Sequence, residues 1–123
     1  MIFGIGIDNI EVDRVRKQLE KNGFKEKIFS PAEIEYCDNR KNFAECYAAR
    51  FAAKEAFLKA IGTGWRGGLA FNEIEVLNDR LGKPVLKLYG KVKAFVEENG
   101  LENIHVSLTH LKNYASAIVI IEK

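Results

Sequence analysis

Acidic and basic side chains recur at helical spacing in one stretch of the chain, as Arg50, Lys54, Glu55 and Lys59. Glu55 and Lys59 lie four apart and share a face, with Phe51 and Ala48 continuing the row. Arg50 and Lys54 form a second row about 100° away. On a solvent-facing helix such a pair is ordinary and contributes little. The neighbours Phe51, Ala52, Ala53, Ala56 and Phe57 argue instead for a half-buried helix, whose charges call for anionic or metallic partners. Asp8 ends a segment that is otherwise glycine and aliphatic. It is either a turn or cap residue or a carboxylate placed for chemistry. Along His105-Val106-Ser107-Leu108-Thr109, strand alternation puts His105, Ser107 and Thr109 on one polar face, a solvated stripe or a ligand surface. His110 has the parity of the apolar face and reads as a core histidine.

Gly62-Thr63-Gly64-Trp65-Arg66-Gly67 matches the GxGxxG spacing of dinucleotide sites. The context is reversed, because a helix precedes these glycines and a strand follows. No helix N-terminus is therefore offered to a phosphate, and a Rossmann site is excluded. There is no GxxxxGK[ST] either. What remains is a loop whose amides can still line a phosphate or pantetheine site.

The elements that must position these groups follow from periodicity. Residues 2–7 read as a short strand in which Gly4 and Gly6 admit a close approach to the backbone. Val12, Val15 and Leu19 begin a helix that stops near Asn22-Gly23. Ser30-Pro31-Ala32-Glu33 is a helix start with a capping box, and the helix runs to about Cys37. Phe43 to Ile61 is the longest helical stretch and ends at Gly62. Phe71–Leu77 and Pro84–Tyr89 read as strands joined across 78–82, Lys91–Asn99 as a helix, and Ile104–Leu111 with Tyr114–Glu122 as a hairpin. Hairpins beside helices predict an α+β fold with a mostly antiparallel sheet, in one domain spanning 1–123. The last strand lacks polar alternation beyond Ser116, so it is expected to be covered on both faces, centrally in a sheet or by a partner subunit.

At 47% hydrophobic and 29% charged, the composition excludes disorder. No apolar run approaches the ~20 residues of a membrane helix, and the first residues do not resemble a signal peptide, so a cytoplasmic location is expected. Cys37 and Cys46 form no CxxC pattern and have no histidine nearby, which argues against zinc. In a reducing compartment two buried or half-buried thiols are expected rather than a disulfide. Arg14, Arg16, Lys17, Lys21, Lys25 and Lys27 face only Glu20 and Glu26 in the same stretch. These charges are a plain helix surface or an electrostatic landing site, with Arg14, Lys17 and Lys21 as the candidate contacts. A small nucleic-acid-binding module would use the same stretch, but it leaves Asp8 and Glu55 idle and has only Phe24 for stacking.

Taken together, Gly4-Ile5-Gly6-Ile7-Asp8 with Arg14, then Arg50-Phe51-Ala52-Ala53-Lys54-Glu55-Ala56-Phe57-Leu58-Lys59-Ala60-Ile61-Gly62-Thr63-Gly64, Gly82-Lys83-Pro84 and His105 to His110 resemble the holo-acyl-carrier-protein synthase family of phosphopantetheinyl transferases. The segments occur in the family's order along the whole chain. Asn9 departs from the family pattern beneath Asp8, where an aliphatic residue is usual, and Leu111 departs where a polar one is usual. The resemblance implies a homotrimer with active sites at subunit interfaces, coenzyme A as donor, an acyl carrier protein as acceptor in fatty acid biosynthesis, and adenosine 3′,5′-bisphosphate as leaving group. It further implies Mg²⁺ on Asp8 and Glu55, with Lys59 and His105 in catalysis. Coenzyme A contacts are expected from Arg50, Lys54, Gly62, Gly64, Lys83, Pro84, Ser107 and Thr109. Such a reaction asks for positioning and charge neutralisation, which two carboxylates, a hard cation and lysines can supply. The nucleophile belongs to the partner. A metal-bound water, Asp8 and Glu55 all remain open as the group that takes its proton.

Overall fold

The structure, a computed structural model, describes residues 1–63 and 69–123. Strand β1 (Ile2–Glu11) leads into helices α1 (Val12–Leu19), α2 (Phe24–Ile28), α3 (Pro31–Asp38) and α4 (Phe43–Ile61). A 3-10 turn at Phe71–Glu73 precedes β2 (Ile74–Asn78) and β3 (Pro84–Leu88). Helix α5 (Gly90–Glu98) and the strands β4 (Asn103–His110) and β5 (Tyr114–Glu122) complete the chain. The strands form one antiparallel sheet in the order β1-β5-β4 and a separate β2-β3 hairpin. The fold class is α+β, as expected.

Helix α4 lies across one face of the three-stranded sheet. Ala115, Ala117, Val119 and Ile121 of β5 are all buried beneath it. On β1 the same face carries Gly4, Gly6, Asp8 and Ile10, paired with Ile121, Val119, Ala117 and Ala115. A Cβ on Gly6 would sit 1.8 Å from the Ala56 carbonyl oxygen, and one on Gly4 1.9 Å from that of Ala60. Glycine on the strand and alanine on the helix therefore let two backbones cross in direct contact. That is the close approach the glycine alternation foretells, and the partner is α4.

Helix α3 starts as expected. Ser30 Oγ accepts from the Glu33 amide while Glu33 Oε1 accepts from the Ser30 amide, with Pro31 in the first turn. Helix α4 keeps its expected bounds and ends on Gly62, at φ 82°, a left-handed conformation that glycine adopts without Cβ strain.

Several expectations need correction. Strand β1 continues to Glu11, because β5 offers pairing partners along its whole length. The short helix α2 was not anticipated, since five residues carry too little periodicity to be seen. Strand β5 is central, but only its α4 face is buried in the chain by itself; the other face carries Ile118, with Ile5 and Ile7 beside it, 36%, 57% and 65% exposed. Cys37 and Cys46 are joined in a disulfide rather than held as thiols. The turn between α3 and α4 brings their Cα atoms to 5.6 Å, an approach that spacing alone does not reveal. No helix of the described residues is long and apolar enough to cross a membrane.

Candidate active site

Within the mostly buried helix α4, Phe51, Glu55 and Lys59 make one less buried line, Phe51 and Glu55 half-buried and Lys59 exposed. The line runs along the edge of the helix beside β1. There Lys59 Nζ donates to Asp8 Oδ1 at 2.9 Å and to the Ile7 carbonyl at 3.1 Å. Burial pushes the Glu55 carboxyl above its ordinary range, the negative charge of Asp8 adds to the push, and Lys59 opposes it. Two carboxylates thus share one small region with a single lysine to balance them. The arrangement suits a hard divalent cation, which would relieve the repulsion that raises Glu55. Among the described residues no cluster of three or more His, Cys, Asp or Glu could hold a metal. Two carboxylates with water and substrate phosphate are a donor set for Mg²⁺ rather than for structural zinc.

The groove beside this site is mostly apolar and carries one cation, Arg14. Ile10, two residues after Asp8 on the same strand face, and Phe51, one turn before Glu55, line a hollow of about 170 Å³ with Arg14, Val15, Gln18, Phe24 and Ile28. Arg14, the expected partner contact, thus stands with Phe24 and Phe51, two aromatic residues whose spacing alone does not bring them together. Lys17 and Lys21 are exposed, in the first helix and the turn that follows it, whereas Arg16 pairs with Asp13 and Lys25 with Asp38.

A second cleft, of about 290 Å³, lies on the far side of α4 from Asp8 and brings Arg50 together with Gly82, Pro84 and His110. Arg50 donates to Asn78 Oδ1 at 2.7 Å and lies 4.3 Å from the Tyr36 ring centre. Its buried Nε has no hydrogen-bond partner among the described residues. Arg40 stacks on the same ring at 4.2 Å. The Asp79 carboxylate accepts from the amides of Leu81 and Lys83 and so shapes the turn, leaving the Lys83 side chain exposed. This cleft can receive a nucleotide phosphate beside the Arg40 and Arg50 guanidiniums, with Gly82 and Pro84 in its wall.

Lys54 does not take the phosphate role expected of it. Its side chain is 0% exposed, and its ammonium donates to the Ile28 carbonyl, Glu33 Oε1 and the Phe71 carbonyl at 2.8, 2.7 and 3.1 Å. Three donors meet three acceptors, so none is left for a ligand. Burial draws its pKa below the usual lysine range, and Glu33 opposes that.

Of the two histidines, His105 keeps its expected place on one face with Ser107 and Thr109, and His110 does not. His110 is no core residue: at the open end of β4 its Nδ1 lies 2.8 Å from Glu45 Oε1, at the rim of the Arg50 cleft. His105 pairs with Ile120, which pairs with Ile5, so His105, Ser107 and Thr109 face away from α4. Asp8 faces α4. Within one chain His105 and Asp8 are therefore on opposite sides of the sheet, and His105 contacts Glu122 at 2.7 Å instead. Asn9 also faces the open side, where it accepts from Ser116 Oγ, so it does not pack beneath Asp8. Gly62 lies one turn after Lys59, and Gly64 falls outside the described residues.

Residues 4–119 match the family described as the 4′-phosphopantetheinyl transferase superfamily. The chain is similar to the holo-[acyl-carrier-protein] synthase of Syntrophus aciditrophicus strain SB, 52% identical over 99% of this chain and 97% of that one. Among solved structures it resembles the holo-[acyl-carrier-protein] synthase of Neisseria meningitidis, with a TM-score of 0.91 at 35% identity, covering both chains entirely. The enzyme of Bacillus anthracis strain Ames, solved in complex with CoA (3′,5′-ADP), superposes with a TM-score of 0.82 at 40% identity, over 98% of this chain and 96% of that one.

Proposed function

The chain belongs to the 4′-phosphopantetheinyl transferase superfamily, and from that premise we propose that it moves the 4′-phosphopantetheine arm of coenzyme A onto a serine of apo-acyl carrier protein. The reaction depends on Mg²⁺, releases adenosine 3′,5′-bisphosphate, and serves fatty acid biosynthesis in the cytoplasm. One observation carries this reading: Asp8 and Glu55 are set together with Lys59 on the edge of a buried helix, beside a groove that can seat a partner.

In this reading Asp8 and Glu55 hold the cation and Lys59 lies beside them. The bound ion would supply charge neutralisation at the pyrophosphate. The carrier's serine oxygen forms a bond to the phosphorus bearing pantetheine. The bond from that phosphorus to the bridging oxygen breaks, and the electron pair leaves on the 5′-phosphate of adenosine 3′,5′-bisphosphate. Lys59 offers an ammonium to the oxygen charge that accumulates. The serine proton passes to one of the acceptors at this site, Asp8 and Glu55 among them. The nucleotide end of coenzyme A is assigned to the cleft of Arg50, Gly82 and Pro84, with Lys83 in the same turn; because that cleft lies across α4 from Asp8, it is a neighbouring copy's cleft that serves this site.

The opposed faces of His105 and Asp8 are consistent with a site completed by a second copy. A homotrimer would cover Ile5, Ile7 and Ile118 and carry His105, Ser107 and Thr109 of one copy to the nucleotide of another's site. With Asp8, Glu55 and Lys59 so employed, the basic stretch needs no nucleic acid and serves the acidic carrier.

The test is direct. The protein is incubated with coenzyme A, Mg²⁺ and apo-carrier protein, and mass spectrometry shows a phosphopantetheine adduct that a chelator abolishes and Mg²⁺ restores. Light scattering shows a trimer. No adduct under these conditions, or an active stable monomer, contradicts the reading.

A further inference from the structure

Lys54 and Glu33 form a buried hub that the proposed chemistry does not use. Both side chains are 0% exposed, and the Lys54 ammonium is 2.7 Å from Glu33 Oε1. The same carboxylate accepts from the Ser30 amide through Oε1 and from the Val76 amide through Oε2, each at 2.9 Å. Lys54 adds bonds to the carbonyls of Ile28 and Phe71. One ion pair therefore ties α4 to α3, to β2, to the end of α2 and to the turn before β2.

Stability does not require such a hub. The cost of desolvating two charges roughly cancels their attraction, and a well-packed apolar pair serves as well. Direction is what the pair supplies. Helix α4 crosses β1 with the Ala56 and Ala60 backbone against Gly6 and Gly4, so along this line, where Asp8 stands, no side chain interlocks to set the helix's roll about its own axis. Hydrogen bonds from a single ammonium to three fixed acceptors do set it. Glu55 follows Lys54 directly, about 100° further round the helix. Any roll that displaces Lys54 swings Glu55 by the same angle, toward or away from Asp8.

We propose that Glu33 is a positioning residue: by anchoring Lys54 it fixes the roll of α4 and so aims the Glu55 carboxylate at Asp8. The inference rests on the reading of Asp8 and Glu55 as the cation site.

The test uses the double variant Glu33→Gln with Lys54→Met, which removes both charges, keeps side-chain volume and leaves an oxygen to cap Ser30. Wild type, the double variant and Asp8→Asn are titrated with Mn²⁺ alone, following the free-ion signal by electron paramagnetic resonance, with circular dichroism to verify the fold. The double variant is expected to fold and to bind Mn²⁺ about 10- to 100-fold more weakly, the usual scale for loss of a group that orients a metal ligand. Its KM for carrier protein should stay close to wild type, because the Arg14 groove is intact. A folded double variant with wild-type Mn²⁺ affinity overturns the positioning role, as does a double variant that cannot fold, which would make the pair a requirement of the fold itself. Asp8→Asn separates the two levels: if it too binds Mn²⁺ normally, the cation site itself is wrong.

Discussion

Lys54 and Lys59 are five residues apart on one helix and have opposite roles. Lys54 faces inward onto Glu33, and Lys59 lies half in solvent over Asp8. Lys54→Ala should cost about 3–5 kcal/mol, because it leaves Glu33 buried without its counter-charge. Lys59→Ala should leave thermal unfolding nearly unchanged and lower kcat by roughly 10²–10³-fold, the scale for losing one preorganised electrostatic contact. A raised KM with unchanged kcat would make Lys59 a ground-state phosphate clamp instead. Glu55 makes a second prediction. Its raised pKa means that folding favours the protonated carboxyl. That contribution is present below the unfolded pKa and is lost as pH rises through the folded one. Without added metal, Glu55→Gln should therefore melt above wild type at neutral pH, and the difference should vanish in acid. With Mg²⁺ the wild type should gain stability that Glu55→Gln does not, while transfer falls by orders of magnitude in the variant. Calorimetric scans across pH, with and without Mg²⁺, check both signs.

At the level of elements, the crossing of β1 over α4 sets where Asp8 stands. Gly6→Ala would drive a methyl into the Ala56 carbonyl, a backbone atom that cannot step aside without moving the helix. The expected loss is at the upper end of overpacking penalties, about 3 kcal/mol or more, read as a fall in the chemical-denaturation midpoint. The Cys37–Cys46 disulfide closes the turn between α3 and α4 beside the Arg50 cleft. The chain-entropy argument assigns a loop of about ten residues roughly 2–3 kcal/mol. A dithiol reductant should lower the melting temperature of wild type accordingly. Cys37→Ser should melt like the reduced protein and ignore the reductant.

Across the whole molecule, two exposed surfaces stand apart. The basic face of α1 adjoins the groove of Phe24 and Phe51, while Ile5, Ile7 and Ile118 lie on the outer face of the sheet. Arg14→Glu places like charge opposite an acidic carrier protein and should raise the carrier KM about tenfold, on the scale of one close charge pair. The coenzyme A KM should barely move, since Arg14 is assigned to the carrier and is not among the residues assigned to coenzyme A. The wild-type carrier KM should rise with salt and that of Arg14→Glu should respond less. Steady-state kinetics with each substrate varied in turn would reveal the reverse pattern, a coenzyme A effect alone, and that result would reject the docking face.

Local chemistry was legible in the chain itself. The ends of α4, the capping box at Ser30, the β4-β5 hairpin and the need for a close neighbour at Gly4 and Gly6 each depend on residues a few positions apart. Periodicity, caps and glycine act over that range, so these features could be read before any coordinates. Asp8, Glu55 and Lys59 came together as a set only through the family resemblance. The partners that decide each charge's role were not legible. Glu33 is 21 residues from Lys54, and Lys59 is 51 from Asp8. Lys54 and Lys59 look alike in sequence, and only the packing of α3 and β2 against α4 buries one of them. His105 shares its polar face with Ser107 and Thr109 by simple alternation. Which side of the sheet that face takes was decided by where α4 lies, because a helix with an alanine surface could cover only the side bearing Gly4 and Gly6.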